Sequence, residues 1–218
     1  MNRKKDIIKT IEGIAGKYSA YEVFTDWIRC CSLSISNTCQ IIQNKVWQER
    51  EQTYIDTMRK YTLEERGKFA EMFNMLAETL EDDITDVLGQ IYMEAGMGSK
   101  AAGQFFTPFH LSKLCADISV GLDENGKCIM NEPSCGGGGM IIATAVALKE
   151  KGINYQMVMD VVAQDLDWKG VYMCHLQLSL LGIKAVCVQG DTLINPYDPM
   201  RTDRSHILYT PAKMGVLL

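Results

Sequence analysis

Apolar residues recur at three- and four-residue spacing from the start of the chain, as Ile7, Ile8, Ile11 and Ile14 and again as Phe69, Met72, Phe73, Leu76 and Leu80. That interval lines one face of a helix. No proline interrupts residues 2–96. Ser19 with Glu22 and Thr62 with Glu65 each fit a capping box, in which a hydroxyl and a carboxylate satisfy the free backbone N–H groups of a helix start. The pattern predicts five helices near 3–16, 19–37, 38–60, 63–81 and 84–95, their apolar faces packed together.

After the segment GMGSKAAG the pattern changes to short apolar runs between helical stretches. Strands are predicted at Cys128–Asn131, Val161–Gln164, Ala185–Gln189 and His206–Tyr209, with helices near 108–119, 139–151 and 168–182. Strand and helix in alternation imply parallel pairing through right-handed crossovers. The expected fold is therefore α/β: a helical N-terminal domain over 1–97, then a partial Rossmann-like domain over 98–218 with a parallel sheet of about four strands. Any ligand of such a sheet belongs at the carboxyl ends of the strands.

Composition narrows the function classes. The 218 residues are 47% hydrophobic, enough for a real core, and a formal charge of −5 offers no global field for nucleic acid. The halves do not differ in this: 12 basic residues face 16 acidic ones in 1–98, and 10 face 11 in 99–218. The eight cysteines contain no C-x-x-C pair and no metal-ligand spacing, so no metal site is expected and the thiols read as reduced core residues. Without a signal peptide or a membrane-length apolar run, the expectation is a cytoplasmic chain with no membrane partner.

Candidate chemistry concentrates at the predicted strand ends. NEPSCGGGGM at 131–140 lies between a strand and a helix, where glycines let the backbone turn and approach a ligand beside free helix N–H groups. It matches neither G-x-G-x-x-G nor a P-loop. VVAQDLD ends the next strand at Asp165, placed to accept ribose hydroxyls, and QGDTL puts Asp191 at the third strand end, placed to accept an adenine amino group. Thr107 and Pro108 read as N-cap and first residue of the helix that follows. His110, His175 and His206 are far apart, and only His110 lies near these motifs.

GQFFTPFHL (103–111), NEPSCGGGGM, AQDLD and GDTL, in that order, resemble the S-adenosylmethionine-binding half of N6-adenine DNA methyltransferases, in particular the modification subunits of type I restriction systems. Asp86, Leu88, Gly89 and Tyr92 are similar to the D-x-L-G-x-x-Y helix that leads into this region, so the resemblance spans roughly 84–193. It implies S-adenosylmethionine as cofactor and methyl transfer to adenine N6 in DNA. By the same resemblance Phe105, Phe106, Thr107 and Pro108 meet the methionine end, and Glu132, Pro133, Ser134, Cys135, Gly136 and Gly138 wrap the methionine carboxylate and ribose. Asp165 then holds the ribose hydroxyls, Leu166 packs on the adenine face and Asp191 holds its amino group. Glu132 stands where the family often has aspartate or asparagine, and Cys135 is a turn residue, not a nucleophile.

The resemblance also implies an [Asn/Asp]-Pro-Pro-aromatic motif at the end of the fourth strand, where Tyr209, Thr210 and Pro211 of HILYTPAKM stand instead, with Ala212 for the second proline and Lys213 for the aromatic. Asn195-Pro196-Tyr197 resembles the motif superficially, in the loop after the third strand. A complete fold of this class has seven strands, so about three are expected to be missing. The fourth strand is then expected to leave an apolar edge that invites pairing. Two functions are compatible with this. One is a DNA adenine methyltransferase-like protein that contacts DNA only with a partner chain, a second copy or a methyltransferase or specificity subunit. The other is a non-catalytic regulatory or decoy subunit of a restriction-modification system that binds the cofactor and a protein partner.

Overall fold

Five helices fill the N-terminal segment of the computed structural model, which describes residues 2–97 and 106–216. They are α1 (Arg3–Ile14), α2 (Ala20–Thr38), α3 (Lys45–Met58), α4 (Leu63–Asp82) and α5 (Val87–Glu94). Both expected capping boxes form, at Ser19 and Thr62. One boundary differs: α3 begins at Lys45, not near 38, because the Asn44 side chain accepts from Trp47 N and caps the helix there. The expected domain boundary at 97/98 adjoins residues outside the described ones.

The second segment runs α6 (Phe109–Ser119), β1 (Cys128–Glu132), α7 (Gly139–Glu150), α8 (Tyr155–Val158), β2 (Met159–Asp165), α9 (Trp168–Leu180), β3 (Lys184–Gln189) and β4 (Ile207–Tyr209). The sheet order is β1-β2-β3-β4, with the first three strands parallel. The fourth departs from expectation, since β4 runs antiparallel to β3. A parallel strand needs a crossover of a dozen or more residues, usually a helix. Residues 190–206 form turns around Pro196 and Pro199 and re-enter the sheet at the end they left.

Helix α9 is buried nearly all round and joins the two segments. One contiguous apolar cluster takes in Trp27, Leu76, Leu88 and Tyr92 from the helical front and Ile141, Val161, Met173 and Cys187 from the α/β layer. Of the buried polar side chains of α9, three bond to the helical front. Lys169 Nζ donates to Tyr92 Oη at 2.9 Å, His175 Nδ1 lies 2.7 Å from Ser32 Oγ, and Gln177 Oε1 accepts from Leu88 N at 3.0 Å.

His175 Nε2 faces the Tyr209 carbonyl at 3.1 Å, so that nitrogen carries the proton and Nδ1 accepts from Ser32. Burial lowers the His175 pKa from 6.5 to about 4. The unfolded chain therefore binds a proton that the folded chain refuses between these values, and stability falls as pH drops from about 6.5 to about 4. The fall is about 3 kcal/mol. Urea unfolding of wild type and His175→Gln at pH 7 and pH 4.5 checks this: the pH-dependent loss should shrink in the variant, and an equal loss in both refutes it.

The fourth strand is an end strand of the sheet, as expected, but its outer side is partly covered. Arg50 of α3 donates to the carbonyls of Ile207 and Arg204, which covers the outer side of β4. Among the described residues β1 and β4 are the two end strands of the sheet, and on β1 Ile129 is 69% exposed. No described helix is long and apolar enough to cross a membrane.

Candidate functional site

The carboxyl ends of β1, β2 and β3 lie side by side, and their loops are bonded to one another. Cys135 N donates to Gln164 O at 2.9 Å, Gly190 N to Asp165 O at 2.9 Å, and Thr192 Oγ1 to Pro133 O at 2.9 Å. Glu132, Pro133, Ser134, Cys135, Gly136, Gly138, Asp165, Leu166 and Asp191 are thereby brought into one constellation, as their order in the sequence implied.

Two glycines set the turn after β1. Gly136 has φ +49° and Gly138 has φ +90°, a region in which a side chain is strained. A Cβ on Gly136 would also stand 2.8 Å from the Phe106 ring, and one on Gly138 would stand 3.2 Å from Cys174 Sγ. The turn is thus clamped between an aromatic ring and α9.

Asp165 accepts from Gly136 N at 2.8 Å through Oδ2 and from Asp167 N at 2.9 Å through Oδ1. Each oxygen keeps a second lone pair. Asp191 Oδ1 accepts from Leu193 N at 2.9 Å and from Ile194 N. Around these carboxylates Leu166 and Leu193 are left 68% and 94% exposed. Burial raises the Glu132 pKa, opposed by its bond from Ser134 N and assisted by nearby Asp165. The Cys174 thiol is held well above its usual range, first by its contact with the Cys135 thiol, then by Cys187 and burial. Protonated, buried sulfur is a packing group and not a nucleophile. Among the described residues no His, Cys, Asp and Glu cluster could hold a metal ion.

The segment before α6 lines a separate cavity of about 330 Å³ with Asp86 and Gly89 of the α5 start, next to the same turn. Phe106, Thr107 and Pro108 all border it. Phe105 lies outside the described residues. Pro108, not Thr107, takes the N-cap position, since its carbonyl accepts from Leu111 N and Ser112 N and the helix begins at Phe109. A larger hollow of about 690 Å³ lies at the β3 end around Asn195, Pro196 and Tyr197.

Tyr209, Thr210 and Pro211 do not join this constellation. Because β4 runs backward, its end lies at the start of β3: Thr210 Oγ1 donates to Ile183 O at 2.7 Å and accepts from Ala185 N at 2.9 Å. Tyr209 lies level with Val186 and Asp165 with Gln189, about 10 Å further along β3 at the usual rise of a strand, and Thr210 and Pro211 lie further away still. Thr210 is a buried sheet staple, and the expected motif position is not at the site.

Reading the sequence named Asp86 only as the start of the D-x-L-G-x-x-Y helix and missed Gln177, and these two groups hold the turn from below. Gln177 Nε2 donates both to Gly137 O at 2.8 Å and to Asp86 Oδ1 at 2.9 Å, and Asp86 Oδ1 also accepts from Gly89 N at 2.9 Å. The available signal was a set of polar residues, Lys169, His175, Gln177 and Ser179, on an otherwise apolar helix.

The family model for N-6 DNA methylase matches residues 82–211, more than half of the chain. The chain belongs to the N-6 DNA methylase family. The matched span starts just before α5 and ends at Pro211, so the methylase unit includes the last helix of the helical front along with the α/β layer. No curated protein matches the chain. Among solved structures it is similar to a Listeria monocytogenes protein described as a class I S-adenosylmethionine-dependent methyltransferase, with 12% identity and a TM-score of 0.48. The match covers 88% of this chain and 54% of that one, so the chain spans about half its length.

Proposed function

We propose that the chain is the cofactor-binding part of an adenine-specific DNA methylase and that it binds S-adenosylmethionine across the carboxyl ends of β1, β2 and β3. The observation that carries this reading is the bonded constellation of the glycine turn, Asp165 and Asp191 in a member of the N-6 DNA methylase family. The residues present fit the cofactor. The spare lone pairs of Asp165 suit two ribose hydroxyls, exposed Leu166 and Leu193 suit the faces of a purine, and Asp191 suits its amino group. Pro133, Ser134, Cys135, Gly136 and Gly138 would follow the chain of the cofactor from ribose toward the amino acid, with Glu132 at the base of the turn and Phe106, Thr107 and Pro108 toward its methionine end. Phe105 completes that reading by resemblance. When bound, the sulfonium supplies the methyl group for transfer to adenine N6.

Calorimetry with S-adenosylmethionine tests the site. Asp165→Ala removes hydrogen bonds to a charged acceptor, worth about 1.5–3 kcal/mol each, so affinity should fall about 10- to 100-fold. Absent binding to wild type, or unchanged affinity in the variant, overturns the assignment.

A second reading is favoured by the distant position of Thr210: a non-catalytic subunit that binds the cofactor and a protein partner. Under either reading the groups that handle the target base come from elsewhere, and DNA is met with a partner chain, either a second copy or a methyltransferase or specificity subunit. The unpaired edge of β1, beside exposed Ile129, is where further strands would add. Labelled-methyl transfer to mixed-sequence DNA by the isolated chain would exclude the second reading.

A further inference from the structure

We propose that Asp86 Oδ2 and Ser112 Oγ together recognise the α-amino group at the amino-acid end of the cofactor, an assignment that rests on the S-adenosylmethionine reading above. Asp86 is 4% exposed, and Oδ1 takes both of its hydrogen bonds, from Gly89 N and Gln177 Nε2. Both donors are neutral, and among the described residues no lysine, arginine or histidine pairs with this carboxylate. Oδ2 takes no hydrogen bond among the described residues, and Asp86 borders the 330 Å³ cavity shared with Phe106, Thr107 and Pro108. A buried carboxylate in this condition is costly unless a cation or further donors meet it.

Ser112 supplies an independent observation. It is fully buried on α6, and its Oγ has no hydrogen-bond partner among the described residues. Native interiors seldom leave such a hydroxyl unmet. The two unmet oxygens converge on one point of the backbone. A Cβ on Gly139 would stand 3.2 Å from Asp86 Oδ2 and 3.8 Å from Ser112 Oγ, and a Cβ on Gly89 would stand 2.0 Å from the same Oδ2. Glycines therefore keep room around the carboxylate from two sides, Gly139 at the first residue of α7 and Gly89 in the first turn of α5.

The chemistry asked for is a small group with a positive charge and several N–H donors. An ammonium meets both needs, since it neutralises Asp86 and donates to Ser112 Oγ with a second hydrogen. Capping of α5 by Asp86 explains the bond to Gly89 N but leaves Oδ2 and Ser112 Oγ unexplained. The amino-acid end of the cofactor is the part expected beside Thr107 and Pro108, and it carries such a group.

The test compares S-adenosylhomocysteine with its analogue lacking the α-amino group, by calorimetry on unmodified protein and on Asp86→Asn and Ser112→Ala. Unmodified protein should bind the amino-bearing ligand about 10- to 100-fold more tightly, the range for a charge-assisted hydrogen bond. Asp86→Asn should erase most of that preference by weakening the amino-bearing ligand alone, and Ser112→Ala should reduce it by a smaller factor. Equal binding of both ligands to unmodified protein overturns the inference while leaving the cofactor site standing, and needs no variant to fold. Asp86→Asn weakening both ligands by the same factor also overturns it, because that is the signature of a purely structural role. Absence of binding by either ligand removes the cofactor reading and this inference with it.

Discussion

Gln177→Leu is expected to lower the unfolding free energy by about 3–5 kcal/mol, close to the upper end for a single substitution. Leucine nearly matches glutamine in volume, so little packing is lost and the cost is polar. Gln177 is fully buried, accepts from Leu88 N and donates to Asp86 Oδ1 and Gly137 O. Its removal strands a backbone N–H and a carbonyl in the core and leaves the Asp86 carboxylate with Gly89 N alone. Burial already raises the Asp86 pKa, with the bonds from Gln177 and Gly89 opposing that rise, so the loss also favours protonation of Asp86. Urea unfolding at pH 7 should show a lower midpoint with an unchanged slope. Asp86→Asn should soften the effect, and the double variant should fall short of the sum of the two. A loss under about 1 kcal/mol would show that the three bonds hold nothing together.

Gly138→Ala is expected to cost about 2–4 kcal/mol and to weaken cofactor binding as well. Two effects coincide there. The residue has φ +90°, and a Cβ would press on Cys174 Sγ at 3.2 Å and Cys174 Cα at 3.6 Å, in a helix that packs on the sheet. Gly152→Ala separates them: its φ is +75° but nothing lies within 4 Å of a Cβ, so only the backbone cost of about 1–2 kcal/mol applies. Thermal unfolding of the two variants side by side reads the difference. Equal losses would show that Cys174 gives way and that the turn is not clamped against α9.

Much of this architecture was legible from residue patterns. The capping boxes at Ser19 and Thr62, the apolar stripes of α1 and α4 and the order of the glycine turn, Asp165 and Asp191 are all local signals. Each is read within a few residues, because helix periodicity and strand-end loops are short-range consequences of backbone geometry. Asn44 as the cap of α3 was available on the same terms, as an asparagine two residues before an apolar-periodic run.

What failed from sequence was whatever depends on how distant elements meet. The direction of β4 is set by the path of residues 190–206, whose turns bring the chain back at the carboxyl end of β3, so Tyr209, Thr210 and Pro211 finish away from the site. Asp86, Ser112 and Gln177 are separated by 26 to 91 residues in the chain, and no local pattern marks an orphan hydroxyl or a half-bonded carboxylate. The sequence by itself determined that this chain has a helical front, a mostly parallel α/β layer and a cofactor-type series of strand ends in the N-6 DNA methylase family. Only the tertiary structure decided which polar groups lie under the glycine turn and which strand end faces away from it, because hydrogen-bond satisfaction in a core belongs to the packed arrangement and not to any segment of it.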